Sequence, residues 1–260
     1  MADPMHQFQV QKIMDLPDFS LPFVGRVDMA VTNATVAMAI SFALVVLFFT
    51  LSTARVAVVP GRMQVIGESV FGFIDDLAVS IIGHEGRKFF PYVFTLFTFI
   101  LAMNLLGLFL VFGPTAQLAV TATLGVMTIA LVIIVGIAKN GLAFFKLFVP
   151  SGVPWYLLIL VVPIEVISFA LRPATLALRL FGNMLGGHVA LKVFAGFVVS
   201  LGALAAAGGV GLLGIPGAAL ALGGVIALTA LEFLVAFLQA FVFAVLACVY
   251  LNDAVHAGHH

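Results

Sequence analysis

Charged residues are scarce: Asp, Glu, Lys and Arg make up 8% of the 260 residues, while 63% are hydrophobic. An average soluble domain has about a quarter of its residues charged and under half apolar, so a soluble globular fold is excluded. Neither sign of charge dominates, because 11 Lys and Arg balance 11 Asp and Glu. That removes the basic footprint nucleic acid would require, as well as any acidic tail. Lipid and other membrane proteins are the expected partners. Cysteine is nearly absent. The single Cys248 cannot form an internal disulfide or a multi-thiolate metal site, and its neighbours Ala247 and Val249 suit a packing role. The start lacks a secretory signal pattern, since Met1 to Phe19 carries Asp3, Asp15 and Asp18 against one Lys12. Residues 1–28 are expected to form an exposed amphipathic tail, and residues 29–260 a single helical membrane domain.

What is abundant is apolar sequence in long runs. A bilayer core about 30 Å thick takes roughly 20 residues of helix. No charge falls between Asp28 and Arg55, which leaves room for one tilted span over about Ala30 to Thr53. None falls between Lys88 and Lys139 either, a stretch too long for one crossing, and Gly113-Pro114 near its middle supplies a turn. Two spans follow, about Phe89 to Phe112 and Ala116 to Ala138. The intervening segment 62–82 differs: Met63, Ile66, Val70, Ile74, Leu77 and Ile81 recur at helical spacing, with Arg62, Glu68, Asp75 and Asp76 on the polar side. It is expected to lie on the membrane, or to pack beneath the spans, without crossing. From Pro154 to Ser200 the chain is apolar yet holds Glu165, Arg172, Arg179, His188 and Lys192, with Pro163 and Pro173 inside the run. That points to a long, strongly tilted helix along a wet or protein-covered path. A Gly/Ala-rich connection around Gly208-Gly209 and Gly214-Ile215-Pro216-Gly217 leads to a last helix, about Ala218 to Leu251. Glycine in membrane helices permits close backbone approach, so residues 154–251 are expected to pack as a hairpin. The fold class is all-α, a polytopic membrane protein with about five crossings and one interfacial amphipathic helix. Arg55, Arg62, Arg87, Lys88, Lys139 and Lys146 mark one side, whereas the turns at Pro114 and Pro216 carry no Lys or Arg. The positive-inside rule then puts the amino terminus outside and the carboxyl terminus in the cytoplasm.

Ionisable groups inside a bilayer are functional candidates by default, because a central Arg or Asp costs about 2.5 to 3.5 kcal/mol even on the mild insertion scale. Glu165, Arg172 and Arg179 follow one another at intervals of seven, drifting only slightly around one helix face, and Asn183 joins them a turn later. His188 falls on roughly the opposite face of a regular helix. On the last helix Glu232, Gln239 and Tyr250 share a stripe. Arg179 cannot relay protons, since guanidinium stays charged, but it can attract a carboxylate and repel hydronium. Glu165, His188 and Glu232 can exchange protons; Asn183, Gln239 and Tyr250 can hold water or orient those groups. Structural roles compete with these. Arg172 can pair with lipid phosphate or Glu165, His188 can bond between helices, Gln239 and Tyr250 can act as helix glue, and Lys192 can snorkel outward. His256, His259 and His260 at the exposed end can bind metal or be inert; no metal or cofactor is expected. A solute transporter would show inverted repeats, which are not found. A proton-pumping respiratory subunit would place buried Lys and Glu in several spans, whereas Ala30 to Thr53 and Phe89 to Ala138 contain neither. Both remain as alternatives.

The stretch Leu176-Ala-Leu-Arg179-Leu-Phe-Gly-Asn183-Met resembles the signature of subunit a in the membrane sector of F-type ATP synthases. Pro-Ile-Glu165, Leu238-Gln239-Ala-Phe-Val-Phe and Val249-Tyr250-Leu251 support the likeness, and the hydropathy layout extends it over nearly the whole chain. The resemblance implies that Arg179 is the stator arginine facing the carboxylates of a rotating ring of c subunits. It places Glu165, Asn183, His188, Glu232 and Gln239 along two aqueous half-channels, with Arg172 and Tyr250 as secondary candidates. It further implies peripheral stalk b-type subunits and the rest of the synthase as partners and a bacterial inner membrane location; H⁺ is expected as the transported ion because His188 suits proton exchange and the sequence shows no cluster of oxygen ligands for Na⁺. Many bacterial relatives carry Glu at the position of His188 and His at that of Glu232; the exchange here is similar to mitochondrial-type members and implies a bacterial lineage near mitochondria. The chain would not be an enzyme by itself, since it lacks a Gly-rich phosphate loop with Lys and Ser/Thr.

Overall fold

The computed structural model describes residues 11–15, 19–21, 25–27, 30–54, 57, 59–109, 113–149, 154–206 and 214–256. Arg55, Asp28, most of the tail, the Gly208-Gly209 connection, His259 and His260 lie outside them. Four short strands come first: β1 (Lys12–Asp15) pairs antiparallel with β4 (Ala30–Thr32), and β2 (Phe19–Leu21) with β3 (Gly25–Val27). Lys12–Asp15 therefore lies against the strand that leads into the first span. That span begins at Asn33 because Ala30–Thr32 is spent as strand, and Thr32 caps it by accepting from the Thr35 amide.

Six α-helices follow: α1 (Asn33–Thr53), α2 (Arg62–Ile82), α3 (Gly86–Phe109), α4 (Leu118–Asn140), α5 (Trp155–Ala206) and α6 (Gly214–His256). Five helical stretches, α2 and α3 counted together, are long and apolar enough to cross a membrane. This is a polytopic all-helical membrane protein. Gly83, at φ 79°, ends α2 and turns the chain straight into α3, and Gly141, at φ 56°, ends α4; both conformations suit glycine and strain other residues. A 3-10 turn, Pro114–Ala116, joins α3 to α4 where the Gly113-Pro114 turn was expected.

The α2 helix packs against protein. Phe71 meets Phe90 and Phe94 of α3, and Phe73 meets Phe97 of α3 as well as Phe237 and Phe241 of α6. Its fully buried positions are Gln64, Gly67, Ile74, Ala78 and Ile82, so the buried face is rotated from the apolar stripe read in the sequence. Met63 and Ile66 from that stripe stay exposed, while Val70, Leu77 and Ile81 flank the core.

The α5 helix runs unbroken through Pro163 and Pro173 for 52 residues, about 78 Å at 1.5 Å per residue. That is more than twice a bilayer core of about 30 Å. It is longer than the expected Pro154 to Ser200 run, and α6 likewise extends past both expected ends. The two helices form an antiparallel hairpin. One core joins α2 to α6, with Phe97, Ile100 and Met103 of α3 and Leu176 and Leu180 of α5 at its centre. Ala236, Ala240, Ala244, Ala247 and Cys248 of α6 are fully buried, and their small size lets the neighbouring helices close in.

Candidate functional site

Glu165, Arg172, Arg179, Asn183, His188, Glu232, Gln239 and Tyr250 all lie on α5 or α6, and the antiparallel register decides which of them meet. Arg179 and Asn183, one turn apart, lie on a face of α5 that no other helix covers. Between and beyond them, a side chain added at Gly182 or Gly186 would meet nothing within 4 Å. The result is an open strip with a permanent cation in it. Among the described residues no carboxylate lies within ion-pair distance of Arg179. Leu176 and Leu180, on the other side of the same turns, are buried in the core and hold the strip in place.

His188 and Glu232 occupy a different place, on the side of Arg179 that leads toward the connection of the hairpin. Gly187 lies so close to α6 that an added Cβ would sit 2.5 Å from Glu232 Oε1. Glu232 is buried, and neither carboxylate oxygen has a hydrogen-bond partner among the described residues. His188 turns away from Arg179, as a regular helix requires, toward the end of α3: its Nε2 would stand 3.4 Å from a Cβ at Gly113 and 3.8 Å from one at Gly107.

Two residues that sequence reasoning passed over are close by. Asn104 of α3 is fully buried; its amide donates to the Ala236 carbonyl of α6 (3.0 Å), and its Oδ1 lacks a partner. Thr115, in the 3-10 turn, is fully buried with an unpartnered hydroxyl. An amide within the apolar part of the uncharged run from Lys88 to Lys139, which holds only Asn104 and Gln117 as amides, was a usable signal for Asn104; a threonine beside a turn proline was none. Ala236 stands between Glu232 and Gln239, and Gln239 is itself buried.

At the free ends of the hairpin the pairing differs from either reading of Arg172. Its Nη1 lies 3.3 Å from Asp253 Oδ2, and its guanidinium stacks over the rings of Tyr250 (4.7 Å) and Phe169 (5.1 Å). Glu165 makes no ion pair with it. The reason is distance: seven residues along one helix span about 10 Å, whereas Tyr250 and Asp253 come across from α6. Asn140 of α4 donates to the Ala254 carbonyl (2.6 Å) and so fastens the end of α6. Beside it, Lys139 pairs with Glu85 of the α2–α3 turn, which holds the Glu85 carboxyl below its ordinary value. The ring of His256 is 3.1 Å from the Asn252 carbonyl.

Residues 35–252 match the family described as ATP synthase A chain. The chain is 51% identical to ATP synthase subunit a of Hyphomonas neptunium, over 99% of this chain and 98% of that protein. It is 50% identical to that of Rhizobium johnstonii, over 100% and 99%. Against that of Rhodopseudomonas palustris it is 51% identical over 99% of both. With an uncompensated arginine on an open membrane-helix face and this likeness end to end, the chain belongs to the ATP synthase A chain family.

Proposed function

We propose that this membrane subunit is the stationary proton channel of a rotary ATP synthase, with Arg179 separating two half-channels that serve a rotating ring of c subunits. The observation that carries the reading is Arg179 itself: a guanidinium with no carboxylate partner among the described residues, on an exposed strip of a membrane helix. A charge so placed is costly in lipid, and a carboxylate supplied by a passing ring would compensate it. At about 4 Å and an effective dielectric of about 20, such a carboxylate is stabilised as the anion by about 4 kcal/mol. It gives up its proton on arrival. Away from Arg179, against lipid, desolvation restores the neutral acid, so protonated sites travel around the ring.

One half-channel runs from the outer side past Thr115, Asn104, His188 and Glu232 toward Gln239 and Asn183. Buried polar groups without protein partners are ordinarily satisfied by water, and the oxygens of Thr115, Asn104 and Glu232, unpartnered among the described residues, support a wet path there. The other leaves Arg179 toward the cytoplasm by way of Glu165, Arg172 and Tyr250. Each proton crossing gains about 2.3 kcal/mol per 100 mV. In this arrangement α5 and α6 lie strongly tilted, α2 sits at the cytoplasmic face, the amino terminus is outside, the b-type stalk subunits bind the same chain, and the membrane is the bacterial inner membrane.

The whole complex reconstituted in liposomes tests the proposal. Arg179→Ala should assemble yet lose proton-driven ATP synthesis, and it should let protons shunt passively through the ring. Synthesis near the wild-type rate would overturn the role given to Arg179.

A further inference from the structure

The two arginines of α5 are alike in sequence setting and opposite in surroundings. They stand about 10 Å apart along the helix, and both are charged at every accessible pH. Arg179 is exposed and, among the described residues, in no ion pair. Arg172, whose side chain is 19% exposed, is enclosed by Phe169, Tyr250 and the Asp253 carboxylate. Tyr250 and Asp253 are three residues apart on α6 and therefore present one face to it. We propose that Asp253 switches off the charge of Arg172, so that a proton leaving the neighbourhood of Arg179 for the cytoplasm meets one positive barrier and not two. Arg172 and Asp253 act together as a neutral lining of the inner half-channel. The inference rests on the stator reading of Arg179.

The surroundings leave Asp253 as the compensating group. On α5 the other charged neighbours are Glu165, two turns before Arg172 and not in contact with it, and Arg179. On α6 they are Tyr250 and His256, the latter held at the Asn252 carbonyl. On the α4 side, Lys139 is committed to Glu85, and Asn140 is a neutral donor to the Ala254 carbonyl. Among the described residues, Asp253 is the one carboxylate in ion-pair contact with Arg172. Remove its charge and an unpaired guanidinium would line the exit, repelling protons on their way in or out.

A simple fastener between helix ends would also use an ion pair, and charge rescue tells the two apart. ATP-driven proton pumping by the whole complex in inverted vesicles draws protons from the cytoplasmic side, so its pH profile reads that mouth. Asp253→Asn should lower pumping at least fivefold and move the alkaline limb of the profile to lower pH by about one unit. Asp253→Glu should restore both. The double variant Arg172→Gln with Asp253→Asn, which removes both charges, should recover at least half the wild-type rate and the wild-type profile. If the double variant is as impaired as Asp253→Asn, or if no variant moves the profile, the pair is only a fastener and the inference fails. Should Asp253→Asn not copurify with the ring, the reversed pair, Arg172→Glu with Asp253→Arg, takes its place. It is expected to keep the wild-type profile, and a displaced profile counts against the inference. Arg179→Ala in the same vesicles separates the two levels: if it synthesises ATP normally the stator reading falls, and if it is inactive while Asp253→Asn behaves as wild type, only the present inference falls.

Discussion

From the connection up to Gly187, α5 and α6 approach through glycine: Gly217 lies against Leu201, Gly224 against Phe194, and Gly187 against Glu232. At their free ends the same helices are joined by long side chains, with Arg172 reaching Asp253 and Tyr250. Where glycine brings the backbones together there is no side chain to compensate a charge, and the Glu232 carboxyl is left without a partner. Where the helices are bridged by Arg172, a permanent charge is neutralised. On one side of Arg179 the hairpin thus leaves the Glu232 carboxylate without a hydrogen-bond partner among the described residues, and on the other it neutralises the fixed charge of Arg172.

The most damaging way to break this contrast is at the unsatisfied end. His188→Ala and Glu232→Ala should each cut proton flux and ATP synthesis by about two orders of magnitude, within the range that general acid-base groups contribute, without preventing assembly. If they serve one path, the double variant loses less than the sum of the single losses in activation free energy; fully additive losses would assign them to separate paths. Gly187→Ala should follow, with roughly a tenfold loss, since the new methyl must displace the Glu232 carboxyl, a movable group. The melting temperature of the complex should barely change, and a large drop with normal flux would contradict this account.

A glycine that faces backbone sharpens the point. A Cβ at Gly125 would stand 2.7 Å from the Pro173 carbonyl oxygen, which cannot step aside. Gly125→Ala should destabilise the chain by about 1 to 3 kcal/mol, as overpacking does, read as a lower thermal midpoint. The smallest effect belongs to the surface pair. Lys139 lowers the pKa of Glu85, so the pair contributes above the unfolded value of about 4.3 and is lost as pH falls through the lowered folded one. Glu85→Gln should lower the thermal midpoint slightly at pH 7, less at high salt, and not at all once both forms are protonated; a salt-independent difference would show that something other than the ion pair is involved.

Much of the fold was legible because hydrophobicity in a bilayer is local and nearly additive. Uncharged runs bounded by Asp28, Arg55, Lys88 and Lys139 set the first three spans to within a few residues. The strand pairing before Asn33 was not legible, since Ala30–Thr32 reads as the start of an apolar run. The rotated face of α2 was hidden too, because Phe71 and Phe73 find rings on α3 and α6 that lie far away in sequence.

By itself the amino-acid sequence determined that the chain lives in a membrane, where its helices cross, and that Arg179 is the charge needing an explanation. Each of these depends on the cost of moving a residue from water into hydrocarbon, a property of that residue and its immediate neighbours. Only the tertiary structure decided that Arg172 belongs to Asp253 and not Glu165, that Asn104 and Thr115 stand near His188 and Glu232, and that Arg179 is left uncovered. Those outcomes depend on the register of α5 against α6 and on how α3 and its turn meet them. That register is set by glycine approach and side-chain reach across helices, which no local pattern records.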